Sequence, residues 1–223
     1  CFRFDQWLQI CPMLKDVFQI KEDMHMSILP TATPFARNAI FSGMLPNELK
    51  LKLPNLWSAM FKEEKYNKFE KELFENALNI NNKSNKSFHY EKIINVNDGK
   101  KFYNKLNDYK NVDILSIVVN FVDILGHSRS ESQILKELIP NESAYRLAVH
   151  NWFKNSWLKD CLIELANWDA DILITSDHGN TIVSKPVKVK ADSTASLGIR
   201  YKYGRNLNFS DKDVLKIKNP DDY

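Results

Sequence analysis

The chain is poor in cysteine. Cys1, Cys11 and Cys161 are an odd set with no metal-like spacing in 223 residues, which excludes a cysteine metal cluster and suits a reducing compartment. The expected location is therefore cytoplasmic. No apolar run approaches the length of a membrane span, and no signal peptide opens the sequence, so no membrane insertion is expected. The formal charge of +3 is too small to announce a nucleic-acid or membrane partner. What is present is a 43% hydrophobic chain, long enough to bury a full core as one large domain or one domain with a subdomain. It begins at Cys1, already within a helical pattern, and stops at Lys-Asn-Pro-Asp-Asp-Tyr without a closing element. A piece of a longer protein is expected.

The most informative stretch runs from Ser27 to Pro46. Thr31 and Thr33 precede Pro34, and Phe35, Ala39 and Ile40 form an apolar face that ends at Gly43 and Pro46. Proline costs nothing at a first helical position, so Thr33 is expected as the N-cap. A hydroxyl there sits among free backbone N–H groups at the positive end of the helix, where an anion also binds. By itself this describes an ordinary capped helix.

Elsewhere the pattern predicts a helix over 5–20 with Pro12 as a boundary, and a short apolar strand over 24–29 whose Met24 and Met26 are core. Helices broken near Pro54 are expected over 46–78, then an Asn/Lys/Ser loop over 79–87. A strand at 92–96 and a helix over about 99–109 follow. Val112 to Val119 is apolar enough for a central parallel strand buried on both faces. Residues 141–168 predict one long helix, and Asp171 to Thr175 a second parallel strand. Strand, helix and strand in this order predict an α/β fold with a mostly parallel central sheet flanked by helices. Ligands gather at the carboxyl ends of such strands. From Thr181 onward the chain is polar and basic, with short β segments and loops expected.

Acid–imidazole pairs follow both predicted strands. Asp123 and His127 are four apart; on a helix they share a face, and on a loop Gly126 lets both reach one ion. Asp177 and His178 are adjacent, so joint ligation requires the chain to leave β geometry, which Gly179 permits. Carboxylate with imidazole suits Zn²⁺ and tolerates Mn²⁺. His25, His89 and His150 are read as structural or exposed. Arg37, one turn beyond Thr33, either reaches a phosphate oxygen or is a solvated helix residue. Arg200, Tyr201 and Lys202, with Tyr203 and Arg205, either stack bases and hold phosphates or form a solvated basic hairpin.

Pro30-Thr-Ala-Thr33 with Ser-Gly-Met-Leu-Pro beyond it, Asp123-x-x-Gly-His127 and Ser-Asp177-His178-Gly resemble, in order, the alkaline phosphatase superfamily. Nearly the whole chain resembles a PglZ domain within it, closest to the effector domain of PorX-type response regulators of type IX secretion systems. The resemblance implies an alkaline-phosphatase-like fold with a helical insertion over 46–110, preceded by a receiver domain and continued by a C-terminal end outside the sequence. It implies a metal-dependent phosphodiesterase or phosphatase with two divalent ions. Asp123 and His127 would hold one, Asp177 and His178 the other, and Thr33 would be the nucleophile, with Thr31 the nearby alternative. The family's further aspartate would precede Cys1, and its third histidine would lie downstream, where no histidine follows His178. Implied substrates are nucleotide or oligonucleotide diesters, short or cyclic. The implied assembly is a homodimer of the full-length protein. The alternative is a non-catalytic output module that binds a sigma factor or a secretion-motor component.

Overall fold

A computed structural model describes residues 1–62, 67–180, 183, 185–192, 201–202, 206–210, 212 and 214–217. Among them the helices and strands run α1 Phe4–Ile10, α2 Thr33–Ser42, α3 Pro46–Lys52, α4 Pro54–Lys62, α5 Glu70–Ile80, β1 Phe88–Ile93, α6 Val96–Asn104, β2 Ile114–Val119, α7 Phe121–Glu131, α8 Gln133–Leu138, α9 Glu142–Lys154 and α10 Trp157–Leu165. The chain divides into two units. One comprises Cys1–His25 and Asn81–Ser176, the other Met26–Ile80 and Asp177–Tyr223. The helices over 46–80 thus belong to the second unit, and residues 81–110 to the first.

In the first unit β1 and β2 pair in parallel, Phe88 opposite Ile114 through Ile93 opposite Val119, with α6 in the connection between them. The start of the ladder is locked by Asp113, whose Oδ2 accepts from both the amide and the hydroxyl of Ser87 at 2.8 Å, while the Asp113 amide donates to Ser87 Oγ. The strand expected at 92–96 therefore lies earlier, because Asn95 ends it by capping α6, accepting from the Asp98 amide at 3.0 Å. The second strand of the pair is partly buried along its whole length instead of enclosed on both faces. Mixed helices with a small parallel sheet are the α/β class expected for an alkaline-phosphatase-like fold.

Ile93, Phe102, Tyr145, Val149, Phe153 and Trp157 are among the residues of this unit's core. α10 approaches α6 so closely that a Cβ on Gly99 would fall 2.0 Å from Trp157 Nε1. The long helix expected over 141–168 is two. Ser156 breaks it by donating to Phe153 O at 2.9 Å while accepting from the Lys159 amide, which ends one helix and caps the next. The helix expected to reach residue 20 ends at Ile10, where Pro12 tightens the chain into a 3₁₀ turn over Cys11–Met13. Residues 171–175 make no ladder, and Leu173 is 88% exposed. An apolar run becomes a strand only where a partner satisfies its backbone, and these residues have none assigned among those described. Met24 and Met26, expected in the core, are exposed, and residues 24–29 form no strand.

In the second unit α2 packs on α5, with Ala36, Phe41, Leu49, Met60 and Leu73 buried and Phe41 edge-on to Phe74. The expected stop of α2 is where the pattern puts it. Gly43 takes the left-handed conformation at φ 65°, where glycine carries no Cβ penalty, and its N–H caps the carbonyl of Ala39. No helix of the described residues is long and apolar enough to cross a membrane. Among the described residues from 181 onward, the β structure is one antiparallel bridge, Lys190 with Asn208.

Candidate active site

The start of α2 differs from the expectation by one residue, and the difference decides what Thr33 does. Ala32 is the N-cap, extended at φ −137°, and its carbonyl begins the helical ladder by accepting from the amides of Phe35 and Ala36. Proline, without an N–H, fits the second helical position, where no intrahelical bond is lost. Thr33 is therefore already helical, one residue inside the cap.

The Thr33 hydroxyl faces His178. Thr33 Oγ1 lies 2.9 Å from His178 Nε2. The other ring nitrogen, Nδ1, is 2.9 Å from the carbonyl of Gly179. A carbonyl only accepts, so Nδ1 carries a proton, and whenever the ring is neutral Nε2 presents its lone pair to Thr33. The backbone bend at Asp177 turns the adjacent side chains to one side, leaving Asp177 Oδ2 3.8 Å from His178 Nε2. Both residues are buried, at 8% and 7% exposure.

Asp177 is held at every oxygen. Oδ1 accepts from the His178 amide at 3.0 Å, Oδ2 from Arg37 Nε at 3.1 Å, and the main-chain carbonyl from Ser27 Oγ at 2.7 Å. Burial pushes its carboxyl up, and Arg37, within its own unit, acts in the opposite direction. Arg37 is not a solvated helix residue. Its guanidinium is buried, with Nη1 3.4 Å from Oε1 of Glu70, itself 1% exposed. Through Nε it supports Asp177.

In the first unit Asp123 and His127 lie on α7, one turn apart, with Oδ1 and Nε2 separated by 3.7 Å. The helical alternative for this pair is the observed one. The Cys1 thiol donates to Asp123 Oδ1, and the His127 side chain is largely exposed. Tyr201 packs its ring edge-on to Phe35 at 5.5 Å, and Lys202 is exposed. Arg200, Tyr203 and Arg205 lie outside the described residues. His25 is exposed, His150 is partly buried, and His89 stacks on Tyr109; none joins either acid–imidazole pair.

No three His, Cys, Asp or Glu side chains gather among the described residues. The donor chemistry at Thr33, Asp177 and His178 nevertheless fits one divalent ion. A hydroxyl oxygen, a carboxylate oxygen and an imidazole nitrogen lie 2.9 and 3.8 Å apart along the set, close to the roughly 3–3.6 Å expected between neighbouring ligands of a small tetrahedral cation. The bond from Nδ1 to a backbone carbonyl is the outer support that ligating histidines ordinarily have.

Two members were missed in the sequence, Glu70 and Ser27. Glu70 stands three residues before Leu73 and four before Phe74, on the apolar side of its helix, and an acidic residue at that phase is the signal that it is buried.

Mixed helices with a small parallel two-stranded sheet place the chain in the α/β class. The profile of the BREX system PglZ alkaline phosphatase-like domain matches residues 1–221. The chain belongs to the PglZ family. No curated protein matches it. The alkaline-phosphatase-like superfamily hydrolyses phosphoric esters and usually uses divalent metals.

Proposed function

We propose that this domain is a phosphodiesterase or phosphatase with Thr33 as its nucleophile and two divalent ions, zinc or manganese, as cofactors. The observation that carries the proposal is the 2.9 Å approach of Thr33 Oγ1 to His178 Nε2, in a ring held at its other nitrogen by the Gly179 carbonyl. The proposed ligand pairs are Asp123 with His127 and Asp177 with His178. When bound, such ions acidify an attacking oxygen and stabilise charge on a leaving one.

The chain's own residues supply the rest. α2 presents Thr33 Oγ1 in its first turn, where the positive end of the helix dipole favours negative charge on the hydroxyl and on a phosphoryl group beside it. Thr33 Oγ1 attacks phosphorus and the ester oxygen departs as an alcohol. Water then cleaves the Thr33 phosphoester, so that a diester ends as a monoester and an alcohol. Arg37 keeps Asp177 in place. Arg200, Tyr201 and Lys202 are the proposed contacts to a nucleotide or a short or cyclic oligonucleotide, bases on the tyrosine ring and phosphates on the cations. By resemblance, the full-length protein is a homodimeric cytoplasmic response regulator whose receiver domain controls this effector.

A second reading draws on the engagement of Asp177 by Arg37, which gives that carboxylate an internal cation. In it the domain is a non-catalytic output module, contacting a sigma factor or a secretion-motor component. The full-length protein assayed with zinc and manganese against bis-(p-nitrophenyl) phosphate separates the two. Catalysis requires turnover that falls at least about a thousandfold in Thr33→Val with the fold retained. Absence of turnover in the metal-loaded wild type overturns it in favour of the module.

A further inference from the structure

We infer that Glu70 is a positioning residue of the active site: acting through Arg37, it fixes where the carboxylate of Asp177 stands relative to His178 and Thr33. The inference rests on the reading of Asp177 as a ligand.

Glu70 opens α5, a helix whose other charges are mostly solvated, yet it is among the most buried side chains of the protein. Enclosing a carboxylate is costly unless it is paired, so its inward placement has to be matched by a partner. That partner is Arg37 on α2, the helix that α5 packs against. The guanidinium is a rigid planar fork, and two of its nitrogens face different carboxylates: Nη1 toward Glu70, Nε toward Asp177 Oδ2. Fixing one edge of a rigid plane fixes the other. Asp177 is then gripped from two sides, by Arg37 at Oδ2 and by the His178 amide at Oδ1, which sets the carboxylate plane and the 3.8 Å separation of Oδ2 from His178 Nε2. A lysine in place of Arg37 offers a single point charge and cannot hold both edges. Glu70 itself touches neither substrate nor the reacting oxygen.

The test uses the full chain with Glu70→Gln, which keeps volume and removes charge, and Arg37→Lys, which keeps charge and removes the fork. Asp177→Asn serves as the reference for loss of a ligand. Without metal, hydrogen exchange of the His178 amide reads how firmly Asp177 is held. Both variants are expected to accelerate it while leaving the β1–β2 amides unchanged. With zinc, titration against a chromophoric chelator is expected to show affinity about 10- to 100-fold weaker in both, the usual consequence of removing an outer support. Should Glu70→Gln not fold by far-UV circular dichroism, Arg37→Lys and Glu70→Asp carry both measurements. Unchanged His178 exchange in folded variants overturns the inference, as does a loss of thermal stability alone with zinc affinity within about twofold of wild type. Accelerated exchange in a protein whose wild type binds no zinc upholds the positioning role and removes the metal assignment instead.

Discussion

Thr33 Oγ1 and His178 Nε2 are 145 residues apart in sequence and 2.9 Å apart in space. Neither residue is placed by its own propensity. The threonine is aimed by a helix start that Ala32 and Pro34 determine, and the histidine by a backbone bend and a bond to the next residue's carbonyl. In a neutral ring His178 Nε2 either accepts the hydroxyl proton or would hold an ion that acidifies the hydroxyl, and each route makes a side-chain alcohol a nucleophile.

His178→Ala is expected to lower kcat/KM for bis-(p-nitrophenyl) phosphate by about 10²- to 10⁴-fold, measured with zinc or manganese present. Residues that act as one unit do not add. The double variant Thr33→Val/His178→Ala is therefore expected to be no slower than Thr33→Val alone. Additive losses in the double variant would mean that the two side chains work separately.

Much of this neighbourhood was legible because its residues carry conformational instructions. Gly43 ends α2 as its chemistry dictates, Pro34 marks the start to within one residue, and Gly179 permits the departure from extended geometry at Asp177 and His178. What was not legible depended on partners distant in sequence. Nothing local says that Arg37 will meet Asp177, or that Glu70 will close the set from another helix. The apolar run at 171–175 looks like a strand by composition, yet a strand is defined by its neighbour. The break at Ser156 was missed because helical periodicity continues through it, while a single hydroxyl ends one ladder and starts the next.

Gly99→Ala is expected to destabilise the protein by about 1–3 kcal/mol in urea unfolding, because the added methyl meets the indole of Trp157 and the close approach of α6 and α10 must open. The steric origin is checked by a double-mutant cycle. In a Trp157→Leu background the glycine substitution is expected to cost less, and equal cost in both backgrounds would locate the effect in helix propensity or the unfolded chain.

Cys161 and Cys11 are expected to resist thiol reagents in the native protein and to react on unfolding. Burial pushes the Cys161 thiol up to about 12. Cys11 is raised too, by burial first and by its hydrogen bond to Glu22. The thiolate is the reactive form, so both effects suppress it near neutrality. Labelling with a chromogenic disulfide in native buffer and in denaturant, followed by peptide mapping, checks this. Rapid native labelling of Cys161 would contradict its enclosure in the first unit's core.

The acid limb of stability is expected to run through Arg3, Asp5 and Glu142. Arg3 binds both oxygens of Asp5, at 2.8 and 2.7 Å, and one of Glu142, whose other oxygen accepts from Arg129 at 2.8 Å. Both guanidinium groups lie over the Tyr145 ring, whose hydroxyl donates to Val122 O. Arg3 holds the Asp5 carboxyl below its ordinary range against the effect of burial, with Arg146 adding to it. Burial pushes Glu142 up, and Arg129 and Arg3 more than reverse that. A carboxyl lowered in the folded state stabilises above its unfolded pKa, near 4, and loses that contribution as pH falls through the folded value. These pairs are partly exposed, so solvent screening limits the total to the order of 1 kcal/mol. Thermal melting is expected to hold level from about pH 7 to 5 and to fall below about pH 4. Glu142→Gln is expected to melt lower at neutral pH and to lose less on acidification, since part of what acid removes is already gone. An acid limb identical in slope to wild type would place the titrating carboxylates elsewhere.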